Sequence, residues 1–152
     1  MKKIVLSIFV ILSLFILTGC TDKNVEGNLE DLMTKVYETL EEDERPMMLQ
    51  NTVVTEENIE YFLGTTDIEY KEALASEPAI GSIAHSVVLL RANDSNDVEN
   101  IKTKILENVN PRKWVCVGVE KEEVIVKSKG DLIILIIAET NREKLEQGFD
   151  NL

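Results

Sequence analysis

Two cysteines, one histidine and one tryptophan are all that this 152-residue chain holds of three residue types prominent in staples, metal sites and binding hot spots. Each scarcity excludes something. Cys20 falls at the end of an apolar leader, so Cys116 has no partner in the rest of the chain and a disulfide framework is excluded. The fold must therefore rest on a packed core. A lone His85 cannot build a multi-histidine zinc site, and no cluster of His, Cys and carboxylates at ligand spacing is visible. The chain has no phosphate-cradling glycine loop, no dinucleotide fingerprint and no serine nucleophile elbow. Internal repeats and low-complexity segments are also lacking. Basic residues are few: 16 against 28 acids, a formal charge of −12. A field of that sign does not attract nucleic acid or anionic lipid.

What is present begins at the N-terminus. Lys2 and Lys3 precede an apolar run, Ile4 to Leu17, interrupted only by Ser7 and Ser13. The run is shorter than the roughly 20 residues of a transmembrane helix and suits the apolar middle of an export signal. Thr18 and Gly19 are small, as a cleavage site requires, and Cys20 follows directly. Leu17-Thr18-Gly19-Cys20 resembles the lipobox of bacterial lipoproteins at every position. That resemblance implies cleavage between Gly19 and Cys20, a diacylglyceryl group on the Cys20 sulfur, and residence on the extracytoplasmic face of the cell membrane. The lipid bilayer is then a partner through two acyl chains, the number that stable anchoring takes. Removing residues 1–19 takes away Lys2 and Lys3 and no acid, so the charge moves from −12 to −14. Residues 20–27 read as the lipidated cysteine and a polar tether on which the acidic domain stands off the bilayer.

Residues 28–152 are long enough for one domain and too short for two. Asn28 is placed to cap a helix whose apolar positions are Leu29, Leu32, Met33, Val36, Tyr37 and Leu40. The acids Glu41 to Glu44 and then Pro46 end it. Thr55 reads as the N-cap of a second helix with Ile59, Phe62 and Leu63, stopped by Gly64. These two helices form an N-terminal pair over 28–64. The sheet and the remaining helices occupy 65–152. Asp67 to Ser76 is mixed and suggests an edge strand. Val87-Val88-Leu89-Leu90 marks a buried strand. Asp94 to Asn96 cap a helix with Val98, Ile101, Ile105 and Val109 on one side, ended by Pro111. Val124-Ile125-Val126 and Leu132 to Ala138 form a hairpin turning at Lys129-Gly130. Thr140 and Glu143 make a capping box for a last helix with Leu145, Phe149 and Leu152.

This order predicts an α+β fold: a mainly antiparallel sheet of about four strands covered by helices, preceded by a lipoprotein signal peptide. One strand says more. Leu132-Ile133-Ile134-Leu135-Ile136-Ile137-Ala138 does not alternate, so both of its faces must be covered. The C-terminal helices are expected on one face, and the N-terminal pair or a second copy on the other.

From about Asp67 onward the chain resembles a family of small bacterial lipoproteins defined only as a domain of unknown function. The residues that carry the resemblance are Glu77-Pro78 before Ile80-Gly81, Ala84-His85-Ser86-Val87-Val88, Pro111-Arg112-Lys113-Trp114, and Gly130-Asp131-Leu132. It implies location and domain identity and lends no catalytic residue.

The candidate chemistry is thin. His85 reads as a structural hydrogen-bonding group at the start of a strand. Cys116, flanked by Val115 and Val117, reads as a buried thiol. The oxygen-rich run Asn93 to Asp97 with Glu99 lacks the central glycine and distal glutamate of a calcium loop, and helix capping explains it. Arg112-Lys113-Trp114 is the one basic and aromatic island of the domain, hence the candidate contact for a partner; a Trp with its ring over the core and its N–H reaching water is the ordinary alternative. No catalytic residue, metal ligand or cofactor is assigned. The expectation is a non-catalytic, membrane-anchored binding domain with an envelope protein as partner. The alternatives are an envelope-acting enzyme using carboxylates, or a lipoprotein of the spore envelope or germination. Replacing Cys20 by Ala is expected to release the protein from membranes or leave it as unprocessed precursor. Unchanged processing and membrane retention in a fractionation experiment would refute the lipobox reading.

Overall fold

The structure is a computed structural model and describes residues 24–152. The leader, the Gly19–Cys20 cleavage site and Cys20 lie outside the described residues. Nine elements follow one another: α1 (Leu29–Tyr37), β1 (Leu49–Val53), α2 (Ile59–Leu63), β2 (Tyr70–Pro78), β3 (His85–Ala92), α3 (Val98–Asn108), β4 (Ile125–Lys129), β5 (Leu132–Ala138) and α4 (Arg142–Asp150). The five strands form one antiparallel sheet in the order β1-β2-β3-β5-β4. The class is the α+β expected, with one strand more.

The extra strand is β1, inside the segment read as a helix pair. Its sequence, Leu-Gln-Asn-Thr-Val, offers no apolar alternation because only Leu49 is part-buried and the rest face solvent. β1 takes the edge, and β2, expected there, is internal between β1 and β3. β3 and β5 pair along their whole length, from His85 opposite Ala138 to Arg91 opposite Leu132. Every residue of both strands is buried.

Burial of β5 on both faces organises the helices. On one face Leu132, Ile134, Ile136 and Ala138 pack with Leu32, Met33 and Val36 of α1 and Leu145 and Phe149 of α4. On the other, Ile133, Leu135 and Ile137 pack with Ile59, Phe62 and Leu63 of α2 and Val98, Ile101 and Ile105 of α3. Each face thus takes one N-terminal and one C-terminal helix, which corrects the expected division by halves. Burying each such aliphatic contributes about 1.5–3 kcal/mol.

The helix ends are explained locally. Asn28 Oδ1 accepts from the Asp31 N–H at 2.8 Å, as its cap position predicts. α1 stops at Tyr37, earlier than the acidic run, which forms a separate single turn over Glu42–Glu44. α2 starts after Asn58 rather than Thr55; Asn58 Oδ1 accepts from the Thr55 N–H at 2.7 Å, and the Thr55 carbonyl accepts from Ile59. Gly64 closes α2 at φ 77°. α4 begins after Asn141, in the left-handed region at φ 60°, and the Thr140–Glu143 capping box does not form. Asparagine tolerates that conformation better than other non-glycine residues.

Part of the expected tether belongs to the fold. Val25 is buried in the core beside α1. The buried Arg91 donates to the Val25 carbonyl at 2.7 Å and the Gly27 carbonyl at 2.9 Å, while Glu72 and Asp131 balance its charge. Residues 25–27 are therefore strapped to the sheet, because a buried guanidinium must satisfy its donors and these carbonyls do so.

Gly148 marks where α4 crosses α1: a Cβ there would lie 2.3 Å from the Val36 carbonyl oxygen. Gly148→Ala should force the helices apart and lower unfolding stability by about 1–3 kcal/mol. Gly81→Ala, where a Cβ meets nothing within 4 Å, is the control, and urea unfolding reads both. Equal stability of the two variants would contradict this packing.

Candidate functional site

The unusual residues gather at one end of the sheet, where β1 begins, β2 ends and β3 begins. Side chains alternate along a strand, so His85 and Ser86 at the start of β3 face opposite sides and seed two separate polar groups.

On the α1 side, His85 Nε2 and the Tyr37 hydroxyl are 2.6 Å apart, both buried, with Ser76 of β2 facing the phenol. Burial pushes the His85 pKa down to about 4, so the imidazole is neutral near pH 7. Burial likewise raises the Tyr37 pKa, against the opposing influence of the Ser76 hydroxyl. The expectation that His85 serves as a structural hydrogen-bonding group agrees with this geometry.

On the α2 side, the Lys113 side chain is 4% exposed and its ammonium forms an ion pair with Glu77. Rings surround it: Tyr61 at 4.2 Å, Phe62 at 5.0 Å and Trp114 at 5.3 Å from ammonium to centroid. Glu77 Oε2 accepts from the Tyr61 hydroxyl at 3.1 Å, and burial with the Glu77 charge pushes the Tyr61 pKa up to about 12. Burial lowers the Lys113 pKa and the Glu77 charge opposes that shift. Removing one member of such a pair strands the other charge, at a cost of about 3–5 kcal/mol. The pair fastens the 111–120 loop beneath the sheet end.

Arg112-Lys113-Trp114 therefore does not form one exposed island. Lys113 and Trp114 point inward, with Trp114 in the core, and only Arg112 is exposed, paired with Glu120. Cys116 is exposed, contrary to the buried thiol expected from its valine neighbours. The backbone there turns through the left-handed region, at φ 63°, so no strand or helix periodicity carries Cys116 or Val115 inward. Asp94 caps its turn by accepting from the Asn96 N–H at 2.9 Å, as read from sequence. Among the described residues no three His, Cys, Asp or Glu side chains are grouped to hold a metal.

What the residue pattern missed is an apolar rim at the same end of the sheet. Met47 is 69% exposed, Met48 63% and Val115 73%, with Ile80 beside them. Backbone bonds tie them together: the Ala79 N–H donates to the Met48 carbonyl at 3.0 Å, and the Val115 N–H to the Gly81 carbonyl at 3.1 Å. The signal lay in Met47-Met48, a large apolar pair after Pro46 with no periodic partner. No family model, curated protein or solved structure matches the chain.

His85 generates a pH prediction. Its folded pKa lies below the unfolded value of 6.5, so acid protonates the unfolded chain first. Its contribution is whole above pH 6.5 and is lost as the pH falls toward 4, a drop of about 3 kcal/mol at about 1.4 kcal/mol per unit. In His85→Gln that component of the acid sensitivity should vanish. Urea unfolding at pH 7 and pH 4 compares the two proteins, and parallel losses would refute it.

Proposed function

We propose that this is a lipid-anchored, non-catalytic binding domain of the extracytoplasmic face of the cell membrane. The observation that carries the reading is the apolar rim of Met47, Met48, Ile80 and Val115, four of the seven exposed large hydrophobics among the described residues. Methionines are adaptable contact residues, and exposed apolar residues on segments joined by backbone bonds at one end of a sheet suit an interaction surface. The buried groups next to it favour binding over catalysis, since Lys113, Glu77, His85 and Tyr37 are spent on one another.

The position of the rim supports the anchor. Asn24 lies against Gly130 at the β4–β5 turn, the opposite end of the sheet from the rim. With Val25 to Gly27 strapped by Arg91, the four residue steps from Cys20 to Asn24 span at most about 14 Å. Lipid on Cys20 would hold the domain close to the bilayer with the rim turned away from it. Of the residues that carry the family resemblance, Glu77-Pro78, Ala84 to Val88 and Pro111 to Trp114 lie at the rim end, and Gly130-Asp131-Leu132 lies at the opposite end, where the chain enters.

In-cell photo-crosslinking tests the reading. A photoreactive residue at Met48 or Val115 should give the same discrete adduct, and one at Lys102 on α3 should not. Adducts of equal yield from all three positions, or none from the rim, would overturn it.

A further inference from the structure

We infer that the outer edge of β1 receives an extended segment of a basic partner, added to the sheet as a sixth strand. This rests on the binding reading above and names the class of partner. The two edges of the sheet are built differently. β4 carries Lys127 and Lys129, with Lys127 held by Glu146 and Asp150. Charged residues of this kind guard an edge against strand addition. β1 has no charged residue, no proline and no bulge, and from Gln50 to Val53 it is exposed.

The hydrogen-bond alternation shows which groups are on offer. The Val54 N–H donates to Ala73 and the Met48 carbonyl accepts from Ala79, so the even-numbered residues of this stretch face β2. In an antiparallel ladder the alternate residues, Leu49, Asn51 and Val53, then point their backbone groups outward. The Val53 carbonyl is taken by Asn58 Nδ2 at 3.1 Å. Among the described residues Leu49 and Asn51 keep a donor and an acceptor each, and Val53 keeps its donor. A strand docked there meets a depression of about 300 Å³ on the α1 side, lined by Met33, Tyr37, Leu49 and Asn51 with Arg45 at its margin. One in two of its side chains would face that depression, which is how an added strand gains specificity. Its two ends would meet Met48 and Val53, both 63% exposed.

Charge selects the occupant. Glu41, Glu42 and Asp43 precede β1 and Glu56, Glu57 and Glu60 follow it, all exposed, against a single exposed base beside the strand, Arg45. The complementary segment is apolar or β-branched at its centre and carries Lys or Arg at its ends. A second copy of this acidic chain would bring like charges to both ends of the pairing, which is unfavourable.

The test uses the full chain in detergent with synthetic labelled peptides. The first is an eight-residue Val/Thr alternation flanked by lysine pairs. The second has glutamate pairs instead. The third repeats the first with alternate amides N-methylated. The lysine peptide should bind saturably and slow amide exchange at Leu49, Asn51 and Val53 at least tenfold. The glutamate peptide should bind at least tenfold more weakly, and the methylated one should lose the protection. Binding that ignores methylation, or that leaves those three amides unprotected, overturns the proposal. So does protection that appears with rising protein concentration alone, which would assign the edge to a second copy. A retained Val115 crosslink with no protection along β1 would sink only the strand addition. Loss of the rim crosslinks would sink the broader reading.

Discussion

Seven consecutive buried residues in β5 leave the chain no choice but to cover the sheet twice. A bare face would present three large aliphatics to water at about 1.5–3 kcal/mol each. The covering helices are short: nine residues in α1, five in α2, eleven in α3 and nine in α4. None of them covers a face alone. Pairing α1 with α4 and α2 with α3 joins sequence-distant segments on both sides, so neither half holds a complete core. The close crossing at Gly148 follows, because two helices sharing the face over Phe149 and Leu145 must approach to backbone distance.

The two buried cations do parallel work at opposite ends of the sheet. Arg91 ties the incoming chain to the β4–β5 turn through two carbonyls and two carboxylates. Lys113 ties the 111–120 loop to the opposite end through Glu77 and three rings. The choice of residue fits the geometry. The flat guanidinium forks between separate acceptors, whereas the compact ammonium sits in a small aromatic enclosure. Each closes a segment with little regular structure onto a rigid ladder, where an apolar residue would leave carbonyls or a carboxylate unpaired.

Legibility in the sequence tracked burial. α1, α3, β3 and β5 stood out because a periodic or continuous apolar pattern records a face that meets the core. β1 left no such record, since an edge strand packed on one side through Leu49 can be polar elsewhere. The start of α4 falls one residue beyond Thr140, after a left-handed Asn141 whose side chain makes no cap bond, so the capping-box pattern has no counterpart in the structure. At the candidate site His85 was legible: a polar residue entering an apolar strand must be satisfied. Of the Arg112-Lys113-Trp114 island, Arg112 is exposed and Trp114 takes the ordinary core position of a tryptophan, so the residue whose exposure the sequence hides is Lys113. Composition marks lysine as a surface residue, and only the tertiary pairing with Glu77 shows that this one is buried. Met47 and Met48 escaped notice because exposed apolar residues have no periodicity.

β3 spans eight residues, about 25 Å at about 3.3 Å per residue. That length separates the entry of the chain at Asn24 from the apolar rim. For a protein held by lipid on Cys20, the arrangement has a mechanical consequence. A surface beside the tether would be confined to the headgroup region, where an acidic domain is repelled. A surface one strand length away faces outward, past the anionic layer and its screening length of about 8–10 Å. The acidic flanks of β1 would there attract basic segments without competition from the membrane. In a protein so anchored the Arg91 strap would remove slack from the tether, and the stiffness of the ladder would carry that orientation to the far end.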